Sequence, residues 1–233
     1  LGGVVFLTAF GILGLFRSAP FGLDFSVFHK AAVIFLNGGN PWQAMAQAGD
    51  AFAYPPHAAS LMAIYGFMPE SVALTLHTAV NIFSIIVIAC LLNLWFFKIR
   101  EFSRINLAQG AGLALFIGNP FMAHIVFEGQ IALPAAACVF LSWHYLKLHR
   151  WVWAGVFLGC ATIKPQIAIL YIVWLLFSFQ FRVLTIGALT ALLLSIPAFI
   201  VFGPIDSYLF WFESLAFYKT VGANIPGSFH VVG

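Results

Sequence analysis

Three ionisable residues interrupt long apolar stretches and could do chemistry at a membrane surface: Asp24, Glu128 and Lys164. Asp24 lies a few residues beyond an apolar run that is long enough to enter a bilayer, and it opens a Phe-rich segment. A carboxylate at the boundary between water and lipid could act as a general base that deprotonates an acceptor hydroxyl. An Asp in front of a helix can instead be an N-cap that satisfies free backbone N–H groups. One side chain can do both, so both interpretations stay open.

Lys164 lies between the apolar runs 151–163 and 166–181 and is followed by Pro165. A lysine inside a membrane is costly to desolvate, so such a residue is treated first as a candidate functional site. The alternative is an interfacial lysine whose ammonium group reaches back to water. If Lys164 belongs to a site, its natural partner is a phosphate of a phospholipid-type headgroup.

Glu128-Gly129-Gln130 occupies the short connection between the third and fourth apolar runs. Glu128 is either a loop carboxylate in water or one wall of the same site, and Gly129 allows close approach of backbone. Other groups on the same predicted side could meet phosphate or sugar, although each alone also fits an interfacial anchor. They are Arg17, His29, Lys30 and His57.

The composition is that of an integral membrane protein. Of 233 residues, 63% are hydrophobic and only 7% are charged, whereas a soluble domain carries about 25% charged residues. Clustered basic residues interleaved with aromatic ones are absent, which excludes a nucleic-acid partner. Cys90, Cys138 and Cys160 lie singly inside apolar runs without metal-ligand spacing, so we interpret them as packing residues. We expect no metal and no cofactor.

The apolar runs predict an all-α, multi-span protein, because a span needs roughly 20 apolar residues. They fall at about 1–16, 72–97, 106–123, 131–146, 151–163, 166–181 and 183–202. Residues 151–181 could form one long helix with a buried lysine, or two short helices that meet at Lys164-Pro165. Proline disfavours helix at the residue before it, which favours the break.

The distribution of basic residues orients the chain. The linkers KIREFSR (98–104) and KLHR (147–150) hold five of the ten basic residues, so we place them in the cytoplasm. The loop 18–71 is then extracytoplasmic. The same rule does not decide between one helix and two across Lys164.

The outer loop contains a helical pattern that starts at Asp24. Phe25, Phe28, Ala32 and Phe35 recur at helical spacing, which predicts an amphipathic helix in the membrane interface with its apolar face toward lipid. Asn37-Gly38-Gly39-Asn40-Pro41 ends this helix. Tyr54-Pro55-Pro56 predicts a second rigid turn.

Four stretches in this order resemble successive blocks of glycosyltransferase family 87. They are DFSVFHKAAVIFLNGGNPW, FAYPPHAASLMAIYGFMP, FEGQIALPAAACVFLSWHYL and WAGVFLGCATIKPQIAILYIVWLL. Members of that family are integral-membrane enzymes of the GT-C fold and include mannosyltransferases that use a polyprenyl-phosphate sugar. The resemblance runs from about residue 20 to residue 180 and extends weakly to Ser228.

The resemblance implies roles for individual residues. The catalytic aspartate of the family's outer loop falls on Asp24, its Gly-Gln pair on Gly129 and Gln130, and its Lys-Pro pair on Lys164 and Pro165. The Tyr-Pro-Pro turn of the family falls on the turn at Tyr54, and the stretch NIPGSFH (224–230) is expected near the site. Residue types and the resemblance together give the predicted donor-phosphate and substrate-binding set: Lys164, Lys30, Arg17, Tyr54, His57, Glu128, Gln130, Ser228 and His230.

The resemblance also implies an architecture: a GT-C-type helical bundle of seven spans over residues 1–202, with an interfacial helix in the first outer loop. It favours two short helices at Lys164 and makes residues 203–233 the start of a second large outer loop. Family members usually have several further spans, which we expect beyond the C-terminal end of this sequence.

The function implied is inverting transfer of a mannose-like hexose from a polyprenyl-phosphate sugar to a lipid or glycan acceptor. Inversion needs one base opposite the leaving phosphate rather than the carboxylate pair of a hydrolase. We expect the site on the outer side of a bacterial inner (plasma) membrane, with membrane lipids and other membrane proteins as partners. Two alternatives remain: a transporter of lipid-linked sugars and a structural subunit of a larger membrane complex.

Overall fold

The structure is a computed structural model that describes residues 21–97 and 107–220. All regular structure in this part of the chain is helical. Arg17, Ser228 and His230 lie outside the described residues. The helices are α1 Leu23–Leu36, α2 Pro41–Gln47, α3 Pro56–Met62, α4 Glu70–Leu92, α5 Leu107–Ile117, α6 Pro120–Glu128, α7 Ala132–Lys147, α8 Trp151–Ala161, α9 Pro165–Phe177, α10 Phe181–Leu194, α11 Ile196–Phe202 and α12 Pro204–Tyr218.

The chain divides into two compact units. The first unit comprises Leu1–Asp24 and Leu74–Thr190, and the second comprises Phe25–Ala73 and Ala191–Gly233. Asp24, Glu128, Gln130 and Lys164 all fall in the first unit.

Two helical stretches in the described part of the chain are long and apolar enough to cross a membrane. They are Glu70–Phe96, which continues α4 through a π-helical turn, and Gln109–Glu128, which runs through α5 and α6. A third is added if α10 and α11 count as one span. Helices α8 and α9 are apolar but shorter than a span. The helical, apolar character of the chain therefore agrees with a membrane protein, while the seven-span arrangement stays a prediction.

The chain breaks at Lys164, as Lys164-Pro165 predicts. Helix α8 ends at Ala161, and Pro165 occupies the first turn of α9, where its missing N–H costs nothing. Lys164 has φ −125° and ψ 84°, an extended conformation of the kind that a residue before proline prefers. Two short helices therefore meet at this lysine.

Glycines bring α8 close to α10 within the first unit. A Cβ added at Gly155 would clash with Ile186 Cβ, and one added at Gly159 would lie 2.7 Å from the Gly187 carbonyl oxygen. Small residues four positions apart are the common way for membrane helices to approach each other closely. This contact holds α8, and with it the turn that carries Lys164.

The apolar stripe of α1 is buried in protein, so the prediction that it faces lipid is wrong. Its four side chains are at most 6% exposed. Within the second unit, the Phe25 ring packs edge-on against Tyr65 and the Phe28 ring against Tyr54, while Phe35 contacts Phe202. Helical periodicity identifies an apolar face but not what covers it, and here the folded loop and Phe202 of α11 supply the partners. The interfacial position of α1 stays a prediction.

Both predicted turns of this loop are present. Helix α1 ends at Leu36, and Gly38 follows with φ 76°. The Asn40 side chain then caps α2 by accepting hydrogen bonds from the backbone N–H groups of Trp42 and Gln43. Pro56 begins α3 after the extended Pro55.

Candidate active site

The segment ahead of Asp24 is fixed to the end of α6. The Gly22 N–H donates to the Phe127 carbonyl oxygen over 2.8 Å, and the Phe21 and Phe127 rings pack edge-on with centroids 5.6 Å apart. Asp24 lies in the first turn of α1, which already begins at Leu23. Its position inside the helix does not favour the N-cap interpretation, and the contact brings Asp24 to the Glu128 end of α6.

The end of α6 is a Schellman motif that fixes the backbone of Gln130. The Gly129 N–H donates to the Val126 carbonyl over 3.2 Å, and the Gln130 N–H donates to the Ile125 carbonyl over 3.0 Å. Gly129 has φ 69°, a conformation that glycine adopts without the steric cost of a Cβ. The turn therefore places the Gln130 side chain directly after the carboxylate of Glu128.

The Gln130 amide connects the three ionisable residues singled out in the sequence. Its Nε2 donates to Glu128 Oε2 over 2.7 Å, and its Oε1 accepts a hydrogen bond from Lys164 Nζ over 3.1 Å. The amide also hydrogen-bonds the side chain of Asp24 and stabilises its ionised form. Because a carboxylate only accepts and an ammonium only donates, this amide orientation is the one that satisfies all three partners.

Two histidines support this arrangement. His124 Nε2 lies 3.1 Å from Glu128 Oε1, one helical turn away on α6. His77, on α4 and only 1% exposed, places its Nε2 at 3.3 Å from the Gln130 carbonyl oxygen. Neither histidine was predicted to belong to the site. The i, i+4 spacing of His124 and Glu128 could have indicated their pairing, whereas nothing local marks His77.

The environment raises the pKa of Asp24 above 3.8. Burial is the main cause, and the negative charge of Glu128 adds to it. The hydrogen bond from Gln130, the positive charge of Lys164 and the electrostatic effect of His124 act in the opposite direction. A carboxylate with raised proton affinity is a stronger base than a free aspartate. The site can therefore accept a proton at Asp24 beside a cation at Lys164.

The other predicted site residues have different positions. Lys30, Tyr54 and His57 belong to the second unit. Lys30 Nζ lies 3.9 Å from Asp50 Oδ2 at the surface, the Tyr54 ring packs on Phe28, and His57 is buried. Their part in substrate binding stays a prediction.

A metal site was not expected. In residues 21–97 and 107–220, no group of three or more His, Cys, Asp or Glu side chains is arranged to hold a metal ion. The prediction that catalysis needs no metal stays a prediction.

Comparison with known families agrees with the resemblance. The model of glycosyltransferase family 87 matches residues 52–229, well over half of the chain. The matched region includes Glu128, Gln130 and Lys164 but begins after Asp24. No curated protein and no solved structure matches the chain. On the family match, the chain belongs to glycosyltransferase family 87.

Proposed function

We propose that this membrane glycosyltransferase moves a mannose-like hexose from a polyprenyl-phosphate sugar to a hydroxyl of a lipid or glycan acceptor, with inversion. The family supports transfer of a sugar. The observation that supports the finer proposal is the Gln130 amide, which joins Asp24, Glu128 and Lys164 in one cluster. This cluster pairs a base, which the attacking acceptor hydroxyl needs, with a cation, which the leaving phosphate needs.

In this proposal Asp24 is the general base. The acceptor oxygen attacks the anomeric carbon while its proton passes to the Asp24 carboxylate, and the bond between the anomeric carbon and the phosphate oxygen breaks. A single carboxylate is enough, because a phosphate leaves as a stable anion and does not need the general acid that an inverting hydrolase supplies with its second carboxylate. The raised proton affinity of Asp24 supports this role.

Lys164 stabilises the leaving phosphate. Negative charge grows on the phosphate oxygen as the bond breaks, and an ammonium group held in place beforehand stabilises that charge without reorganisation. Gln130 Oε1 holds Lys164 Nζ at 3.1 Å. Further candidates for donor or acceptor contacts are Lys30, Arg17 and His57, because of their residue types and predicted side. The resemblance adds Tyr54, Ser228 and His230.

The site is proposed to face the outer side of a bacterial inner membrane. The donor keeps its polyprenyl tail in the bilayer, so its phosphate lies at the membrane surface. A base that serves this donor must lie at the same height. The proposed chemistry needs neither a metal nor a cofactor.

The test uses the full-length protein in nanodiscs. A panel of polyprenyl-phosphate sugars is offered with candidate acceptors, and turnover is followed by mass spectrometry. Asp24→Asn should lower turnover by roughly 10²–10⁴-fold, the usual contribution of a general base. Asp206→Asn is the matched control, because Asp206 is exposed in the first turn of α12, and it should keep wild-type turnover. Equal turnover by wild type and Asp24→Asn would show that Asp24 is not the general base.

The break at Lys164 also favours one second candidate, a transporter of lipid-linked sugars, because interrupted helices line many transport sites. The same nanodisc preparation, changed to sealed vesicles, separates the two. A transporter moves the intact donor across the bilayer, whereas a transferase cleaves it. Movement without cleavage would favour the transporter.

A further inference from the structure

A second polar site lies at the other end of the helices that meet at Lys164. A pocket of about 800 Å³ opens where α7 ends, α8 begins, α9 ends and α10 begins. Lys147, Arg182, Trp143 and Trp151 are among its lining residues. Helix α8 has 11 residues, so at 1.5 Å per residue the pocket is about 16 Å along the helix from the turn of Lys164. It is distinct from the Asp24 site.

Each of the two cations is held on an aromatic ring. Lys147 Nζ lies 5.4 Å from the centroid of the Trp143 ring, and Arg182 Cζ lies 5.2 Å from that of Trp151. Such contacts fix the direction of a cation without neutralising its charge. Two positive groups therefore face one pocket.

No carboxylate compensates these charges. Residues 129–205 contain no Asp or Glu, and none of the residues that line the pocket is acidic. Elsewhere in the part of the chain that the structure describes, no carboxylate forms an ion pair with Lys147 or Arg182. The pocket is thus complementary to an anion.

Two unfavourable backbone conformations occur at the same pocket. His149 has φ 56° and Phe179 has φ 55°, and they are the non-glycine residues with positive φ among the described residues. Each ends its helix with a Schellman motif, as the bonds from Arg150 N to Tyr145 O and from Gln180 N to Leu175 O indicate. Glycine normally occupies this position, as Gly129 does at the end of α6. Here both side chains line the pocket instead.

The surroundings of the pocket are apolar and exposed. Phe177 and Phe179 are each 77% exposed, and Trp151, Trp153 and Phe181 are also exposed. Tryptophan and other aromatic side chains at the ends of apolar helices are typical of the membrane–water boundary. A free phosphate ion makes no favourable contact with this apolar border, whereas the acyl chains of a phospholipid can pack against it.

We propose that this pocket binds the headgroup of an anionic phospholipid, with the phosphate between Lys147 and Arg182 and the acyl chains along the exposed aromatic border. Basic pockets between membrane helices bind anionic headgroups in this way, and the guanidinium group of Arg182 can hold two phosphate oxygens at once. The bound lipid fills the space between the α7–α8 and α9–α10 turns.

The test counts lipids bound to the full-length protein. The protein in mild detergent receives equal amounts of phosphatidylglycerol, which is anionic, and phosphatidylcholine, which is zwitterionic, and native mass spectrometry measures both. Wild type should retain one phosphatidylglycerol in clear preference to phosphatidylcholine. Lys147→Gln and Arg182→Gln should each weaken this binding about fivefold, the usual effect of one cation near an anionic lipid.

Lys219→Gln is the control, because it removes an exposed cation outside the pocket, and it should bind lipid like wild type. Equal retention of the two lipids by wild type overturns the proposal even if the pocket variants fail to fold. A loss of lipid in Lys219→Gln as large as in Lys147→Gln also overturns it. Displacement of the lipid by inorganic phosphate at millimolar concentration would assign the site to a free anion instead.

Discussion

Asp24 is the proposed general base, and its neighbours act on its pKa in opposite directions. Glu128 raises its pKa through negative charge, and Gln130 lowers it through a hydrogen bond to the ionised form. Substitution of a direct partner should therefore shift the pH dependence of the reaction. Substitution of a residue that only supports the fold should not.

The rate should fall at low pH as Asp24 takes up a proton, with a midpoint above pH 3.8, the ordinary pKa of an aspartate. Gln130→Leu removes a bond to the charged form, so it should move this acid limb to higher pH. Glu128→Gln removes a negative charge, so it should move the limb to lower pH. Profiles of kcat/KM against pH for the three proteins measure both shifts.

Shifts of both variants in the same direction would contradict this electrostatic account. Asp206→Asn serves as the control, and its acid limb should coincide with that of wild type.

The sequence predicted the candidate site only in part. Asp24, Glu128 and Lys164 were recognisable as single charges between apolar runs. Gln130 contacts Lys164, which is 34 positions away in the sequence, and His77, which is 53 positions away. No local pattern records such separations, so the bridging role of the amide and the support from His77 could only come from the folded chain.

At the scale of the helices and turns, the way a helix ends decides where its neighbours point. The break before Pro165 and the turn after Leu36 were predicted from local effects. Proline restricts the backbone conformation, and glycine allows conformations that other residues avoid. The burial of the Phe stripe of α1 was predicted incorrectly, because a local pattern cannot distinguish a lipid partner from a protein partner.

Gly129→Ala tests whether the turn at the end of α6 positions the Gln130 side chain. Gly129 and Gly49 both have positive φ, 69° and 82°, and both end a helix with the same pair of bonds, from Gln130 N and from Asp50 N. Alanine in this conformation costs about 1–2 kcal/mol, so each substitution should lower the free energy of unfolding by a similar amount. Thermal unfolding in detergent measures this cost.

Only Gly129→Ala should also lower turnover, because Gln130 follows it directly. Gly49→Ala is the matched control, since a Cβ at Gly49 meets nothing within 4 Å. A loss of turnover in both variants would mean that general destabilisation, rather than the position of Gln130, limits the reaction.

Phe28→Ala tests whether the stripe of α1 belongs to the protein core. Phe28 is only 2% exposed and packs on Tyr54, so its loss should destabilise the fold by about 3–5 kcal/mol. Phe177→Ala, at a residue 77% exposed, should change stability little. Chemical or thermal unfolding in detergent measures the loss of stability in each variant. Equal losses would indicate that the stripe of α1 faces lipid after all.

At the scale of the whole molecule, the pocket and the basic residues together predict the membrane orientation. The turns at 148–150 and 178–180 line one pocket, so they must lie on the same side of the bilayer. The basic residues in KLHR predict that this side is the cytoplasm.

Single cysteines in place of Leu148 and Gln180, in a variant that lacks the three native cysteines, should react alike with a membrane-impermeant thiol reagent. Both should be protected in intact cells and labelled in inverted vesicles. A cysteine in place of Asp50, in the predicted outer loop, is the comparison and should show the reverse. Labelling of Leu148→Cys in intact cells would invert the orientation and place Asp24 on the cytoplasmic side.

The neutral amide between Lys164 and the carboxylates has a consequence for the order of events. Lys164 Nζ is held by the Gln130 oxygen, and in the described part of the chain no carboxylate forms an ion pair with it. Its charge nevertheless lowers the pKa of Asp24. Under the proposed chemistry, an arriving donor phosphate would offset that charge and so strengthen the base. Proton removal from the acceptor would then be coupled to the presence of the donor, and an acceptor bound alone would keep its proton.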